Sequence, residues 1–128
     1  MHIEFDHVHF RCADMEKTVA FYREVMGAEF LGEAELAGRK AVRLQLGGKN
    51  LVFFQAEPDH PGTVESAATR LGAYHLAYWV EDHDAAVSWF KSRGASFLRE
   101  GIMATPELKV AFIEAPDGMQ IELMQKLK

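Results

Sequence analysis

The chain has 128 residues, of which 48% are hydrophobic, 26% are charged and only 4 are proline. This is the composition of one compact globular domain and excludes a disordered or low-complexity chain. Lys and Arg number 14 against 19 Asp and Glu, a net charge of -5, so the basic footprint of a nucleic-acid binder is missing. The single cysteine, Cys12, allows no internal disulfide and no cysteine zinc site, which points to a reducing cytoplasm. No run approaches the roughly 18 apolar residues of a membrane helix, and the N-terminus has no export signal pattern. The expectation is a cytoplasmic protein with no membrane and no nucleic-acid partner.

In chain order, Ile3 to Cys12 alternates with a period near two and reads as a strand. Asp14 offers an N-cap, after which Met15, Val19, Tyr22, Val25 and Met26 recur at helical spacing until Gly27 stops the helix. Phe30-Leu31, Ala41 to Leu46 and Leu51 to Phe54 read as three strands, with Ala37-Gly38 and Gly47-Gly48 as turns. Glu57 to Gly62 is linker, and Thr63 to Leu71 is expected to add a short helix. A second strand-helix-strands series follows. Its strand is Tyr74 to Val80, and its helix runs from Asp82 or Asp84 to Gly94. Later strands cover Ser96 to Leu98, Val110 to Ile113 and Ile121 to Met124.

The second series repeats the first. His7-Val-His-Phe-Arg-Cys-Ala-Asp14 lies over His75-Leu-Ala-Tyr-Trp-Val-Glu-Asp82, Phe21-Tyr22 meets Trp89-Phe90, and Gly27-Ala-Glu-Phe-Leu31 meets Gly94-Ala-Ser-Phe-Leu98. The reading is one domain over 1–128 with pseudo-symmetric modules at about 1–56 and 73–128 and a linker at 57–72, since each half alone is too small for a stable core.

The repeat makes His7 and His75 equivalent. A pseudo-two-fold arrangement would bring two imidazoles toward one point, the geometry a metal needs. Glu122, a carboxylate among apolar residues on the last strand, requires a partner and supplies a third ligand. Two histidines and a glutamate leave positions open for substrate, as a catalytic site of a divalent first-row metal does. At the same offset Glu122 falls on Phe54 or, allowing a one-residue gap, Gln55, so the symmetric ligand is lost or is Gln55. His9 and Arg11 share a strand face with His7, and Trp79 shares one with His75. His9 is read as a pocket residue, Arg11 as a clamp for a substrate carboxylate, an orienting partner of Glu122 or, equally, one side of an exposed salt bridge, and Phe53 or Phe54 with Trp79 as an apolar lining. His2, His60 and His83 are read as solvated, Cys12 as a small buried hydrophobe, and the paired aromatics as core.

The segments Asp6 to Tyr22, Tyr74 to Val80 and Ala111 to Leu123 resemble the vicinal oxygen chelate superfamily. It groups glyoxalase I, extradiol dioxygenases, fosfomycin-resistance enzymes, methylmalonyl-CoA epimerase and bleomycin-resistance proteins. The resemblance implies an α+β fold of two βαβββ modules forming an open cup-shaped mixed sheet around one divalent metal (Fe, Mn, Ni, Co or Zn), often in a homodimer. His7, His75 and Glu122 match three of that family's ligands. Bacterial-type glyoxalase I carries a fourth, a glutamate, on the strand that reads Leu51-Val-Phe-Phe-Gln55 here. Extradiol dioxygenases add a histidine and a tyrosine where this chain has Ala104-Thr-Pro106 and Phe112.

The function expected is a glyoxalase-type lyase or isomerase acting on a small molecule through a metal-chelated enediolate. Glu122 would be the catalytic base, with Arg11, His9, Phe54, Gln55 and Trp79 against the substrate. The alternatives are an Fe(II) dioxygenase using the same triad and a bleomycin-resistance-like binding protein.

Overall fold

The structure is a computed structural model and describes residues 1–128. The chain divides into two compact units, Met1–Thr63 and Val64–Lys128.

The first unit runs β1 (His7–Cys12), α1 (Met15–Ala20), β2 (Glu29–Leu36), β3 (Arg39–Leu46) and β4 (Lys49–Gln55). The helical rise of α1 continues as a π turn over Phe21–Val25. Its four-stranded sheet has the order β1-β4-β3-β2, with β1 parallel to β4 and the other pairs antiparallel. Asp14 caps α1 by accepting from the Lys17 N–H at 3.2 Å. Ala37-Gly38 and Gly47-Gly48 all have positive φ, the two-residue hairpin turn that matches strand twist. Alternation then sorts the side chains. Cys12, Leu44, Leu51 and Phe53 are buried with Tyr22, while His7, His9 and Arg11 take the other face of β1. Phe10 stacks on Phe53 with centroids 5.4 Å apart.

The second unit runs β5 (His75–Trp79), α2 (His83–Ser92), β6 (Phe97–Thr105), β7 (Leu108–Glu114) and β8 (Gln120–Lys126). Its sheet order is β5-β8-β7-β6, the same pattern, with β5 parallel to β8. Asp82 caps α2, accepting from Asp84 and Ala85. Ala111, Ile113, Ile121 and Leu123 are buried with Val87 of the helix. The turn Pro116–Gly118 leads into β8, and Asp117 sits at φ 61. Gly118 is required there: a Cβ would stand 2.0 Å from the Glu65 carbonyl oxygen, and its φ is +78.

The fold class is therefore α+β, built as two βαβββ modules with a separate four-stranded mixed sheet in each. Strands outrun their sequence signals. β6 extends to Thr105 through three irregularities in its pairing with β7, where the sequence alternation ended at Leu98. Residues 67–70 form only a turn, with Thr69 and Arg70 N–H groups on the Ser66 carbonyl, so the helix expected over Thr63 to Leu71 is absent. Trp89, read as core, is half exposed, with the Arg93 guanidinium 4.8 Å from its ring. No helix is long and apolar enough to cross a membrane.

Candidate metal and substrate site

In the second unit, β5 and β8 lie parallel, with His75 opposite Gln120 and Ala77 opposite Glu122. Registered partners share a sheet face, and here that brings His75 Nε2 to 2.9 Å from Glu122 Oε1. Glu122 is only 9% exposed and faces Phe112 across the β7–β8 pair. The ring of Phe112 also meets His75 edge-on at 5.4 Å, and the Arg99 guanidinium lies over the Phe112 ring, 4.3 Å from its centroid. His75 Nδ1 is buried and has no hydrogen-bond partner.

This donor pair suits a divalent first-row ion. Two ligands at right angles about an ion, each bound at roughly 2.1 Å, stand about 3.0 Å apart, close to the observed separation, which is equally that of a hydrogen bond between the two side chains. Imidazole nitrogen and carboxylate oxygen are both donors that first-row divalent ions accept. Neither unit by itself gathers three His, Cys, Asp or Glu side chains into a metal-holding cluster.

In the first unit His7 is held by its own neighbour. Nδ1 lies 2.8 Å from Asp6 Oδ2, an arrangement that fixes the tautomer and leaves the Nε2 lone pair for a ligand. His9 packs edge-on against Phe54 at 4.2 Å. Burial, and then the positive charges of His7 and Arg39, hold its imidazole below the ordinary histidine range. The Arg39 guanidinium lies over the Phe54 ring, 4.0 Å from its centroid. Arg11 donates to Glu57 at 3.2 Å and to the His60 carbonyl, and Glu57 pairs with Arg39 through its second oxygen. The first unit thus presents two guanidiniums bridged by one carboxylate, beside an aromatic ring and a neutral-leaning imidazole. Sequence patterning missed Arg39, although it alternates with Ala41 and Arg43 on β3.

Two expected positions move. The side chain of Gln55 is spent on the helix start, its Oε1 accepting from Met15 N–H at 2.9 Å and its Nε2 donating to the Ala13 carbonyl at 2.8 Å. Strand register also replaces the sequence offset. His9 pairs with Val52, as its repeat mate Ala77 pairs with Glu122. The first-unit counterpart of Glu122 is therefore Val52, and neither Phe54 nor Gln55. The offset failed because the β3–β4 and β7–β8 stretches differ in length. Trp79 is exposed at the end of β5. His83, read as solvated, is 4% exposed: its Nδ1 meets Asp84 at 2.7 Å, and its Nε2 accepts from Gly101 N–H at 2.9 Å.

Residues 4–123 match the Glyoxalase/Bleomycin resistance protein/Dioxygenase superfamily. The chain belongs to this superfamily, the vicinal oxygen chelate fold. It is similar to a lactoylglutathione lyase of Neisseria meningitidis serogroup A, 30% identical over 122 residues that cover 94% of this chain and 88% of that protein. A lactoylglutathione lyase of Arabidopsis thaliana is 30% identical over 124 residues, 95% of this chain but 44% of its own length. The chain thus spans less than half of that plant relative. Among solved structures, a glyoxalase family protein from Enterococcus faecalis superposes with a TM-score of 0.78 at 26% identity, covering 95% of this chain and 97% of that one. These relatives support a glyoxalase-type function within the superfamily. Its members typically use a divalent metal and bind small-molecule substrates.

Proposed function

We propose that the chain, as a single vicinal oxygen chelate domain, is a divalent-metal-dependent lyase or isomerase of glyoxalase type. Its substrate would be a small 2-oxoaldehyde adduct of the kind implied by the name lactoylglutathione lyase. The observation that carries this reading is the His75–Glu122 pair, an imidazole nitrogen and a carboxylate oxygen 2.9 Å apart on one sheet face with apolar neighbours. His7, whose Asp6 contact frees Nε2, would be the third ligand to the same ion. The homodimer typical of the superfamily and a cytoplasmic location belong to the same reading.

When bound, the metal polarises two neighbouring substrate oxygens and eases proton loss from the carbon beside the carbonyl. The chain's residues do the rest. Glu122 takes that proton and returns it to the neighbouring carbon, its carboxylate kept from bulk water by Phe112 and the β8 strand. Arg11 and Arg39 attract an anionic tail of the substrate, for which Glu57 stands in as an internal carboxylate. Phe54 and His9 give that end an apolar, uncharged wall, and Trp79, exposed at the end of β5, would be a further aromatic contact.

The test is elemental analysis after metal-free purification and reloading with Fe(II), Mn, Co, Ni or Zn, alongside an assay on the hemithioacetal of a 2-oxoaldehyde. One metal per chain, lost in His75→Ala, with isomerisation abolished in a folded Glu122→Gln protein, is the expected result. Metal binding accompanied by substrate-dependent oxygen uptake would instead assign an Fe(II) dioxygenase. Absence of metal binding under every loading would overturn the reading in favour of a binding protein.

A further inference from the structure

Strand β6 departs from regular pairing where Gly101 stands. Arg99 registers with Phe112 and Ile102 with Val110, so three steps along β6 answer two along β7 and one residue of β6 is surplus. Gly101, at φ +69, has the left-handed conformation that such a bulge uses. A bulge leaves its extra residue unpaired in the ladder, and here a helix side chain supplies the acceptor: the Gly101 N–H donates to His83 Nε2 at 2.9 Å.

The accepting ring is 4% exposed and stands at the start of α2. Both of its nitrogens are engaged, and their partners fix which one carries the proton. An ionised carboxylate only accepts, so Nδ1, 2.7 Å from Asp84 Oδ1, bears the hydrogen; a backbone amide only donates, so Nε2 bears the lone pair. The His83 ring N–H and then the Lys109 ammonium hold the Asp84 carboxyl below the ordinary carboxylate range, and it stays ionised wherever an imidazole titrates. Other charge around the ring is accounted for. From β7, Lys109 lies 3.2 Å from Asp84; from β6, Glu100 is held at 2.9 Å by Lys91; from β8, the neutral Gln125 amide meets the His83 backbone; and Asp82 is spent on capping α2.

We infer that His83 is a pH-sensitive clasp: its neutral ring holds the β6 bulge against α2, and a proton added at Nε2 releases it. An imidazolium carries hydrogen on both nitrogens and accepts from neither. Nε2–H and the Gly101 N–H then face each other as two donors, while Asp84 still holds Nδ1–H, so the break falls on the Gly101 side. Two residues before Gly101, the Arg99 guanidinium lies over Phe112, the ring that meets His75. Release therefore loosens the strand that flanks the His75–Glu122 pair, although the clasp itself needs no metal and no protonation of a candidate ligand.

The test is a pH titration of the isotopically labelled full chain by NMR, reading the His83 ring nitrogens, the Gly101 amide shift and amide exchange corrected for its intrinsic pH dependence. At neutral pH, Nδ1 should be protonated and Nε2 bare. On acidification the Gly101 shift should move with the midpoint of His83 Nε2, and Gly101 protection should fall about tenfold or more against the β7–β8 ladder, while the fold persists. His83→Gln offers a side-chain oxygen in place of Nε2 that does not titrate, and should abolish the Gly101 transition. Asp84→Asn keeps an acceptor for Nδ1–H but removes the charge that favours the imidazolium, so both midpoints should move together to lower pH by about half a unit or more; this variant decides the matter if His83→Gln fails to fold. The inference is overturned by a bare Nδ1 at neutral pH, by a Gly101 midpoint that differs from that of His83, by an unchanged Gly101 transition in either folded variant, or by global unfolding before His83 titrates.

Discussion

Gln55 and Gln125 hold equivalent places in the two modules: each lends its Oε1 to the backbone N–H that opens the helix of its own module, Met15 at 2.9 Å and His83 at 2.7 Å. A helix leaves its first N–H groups without internal partners, and these two amides satisfy one in each unit from the last residues of a neighbouring strand. The contact ties strand to helix, and its presence twice makes it part of the scaffold.

Replacing Gln125 by Leu should therefore strand the His83 N–H in a part-buried position. The expected cost is about 1–2 kcal/mol, seen as a fall of about 3–6 °C in Tm for a chain of this size. Gln55→Leu should behave alike, with metal content unchanged. Thermal unfolding by circular dichroism checks both, and a shift confined to one of them would show that the clasp is not shared.

The carboxylate of Glu57 occupies both Arg11 and Arg39. Exposed ion pairs of this kind are worth about 0–1 kcal/mol, so an anionic substrate can displace it at little cost. Glu57→Gln should lower KM several-fold with kcat nearly constant, and Arg11→Ala should raise KM more than it lowers kcat. Steady-state kinetics on the anionic substrate read both, and a kcat loss without a KM change in Arg11→Ala would remove that guanidinium from substrate binding.

Burial pushes the Tyr78 hydroxyl up to about 12 from an ordinary value of 10.0. The folded state then holds a proton that the unfolded chain releases, and its contribution is complete below pH 10 and disappears as pH rises from 10 to about 12. Urea midpoints should fall between pH 9.5 and 11.5 in the native protein and fall less in Tyr78→Phe. Parallel curves for the two proteins would contradict the assignment.

His83 is the link between α2 and the irregular part of β6, because its Nε2 accepts from Gly101 N–H while Nδ1 serves Asp84. His83→Phe fills the space but leaves the Gly101 amide without an acceptor. A loss of about 1–3 kcal/mol is expected, with faster amide exchange at Gly101 than at the β7–β8 ladder. Equal protection of the two would argue against the link.

Much of this was legible in the chain. The internal repeat carried the α+β class, both Asp N-caps and the glycine stops, because caps and stops are local chemistry that a sequence displays. The pairing of His75 with Glu122 was inferred from the repeat and from the isolation of one carboxylate among apolar residues, and the two side chains do meet. Pairing register was not legible. It depends on where hairpin turns fall and on how the irregularities of β6 are absorbed, so counting residues led to Phe54 and Gln55 where the ladder puts Val52. His83 was misjudged for a related reason: its burial comes from Gly101, which is distant in sequence and on a strand whose pattern gave no sign of extending so far. The double use of Glu57 by Arg11 and Arg39 was equally hidden, because it joins a linker residue to two separate strands.

The replacement of a carboxylate by Val52 has a consequence for anyone seeking to engineer a symmetrical protein from this one. Glu122 stands across from Phe112, which cannot neutralise it, whereas Val52 stands across from Arg43. A glutamate grafted at position 52 would meet a guanidinium directly opposite and be captured by it. Copying one half onto the other would thus yield an inert cross-strand pair, and recovering a reactive acid there means exchanging the opposing residue as well.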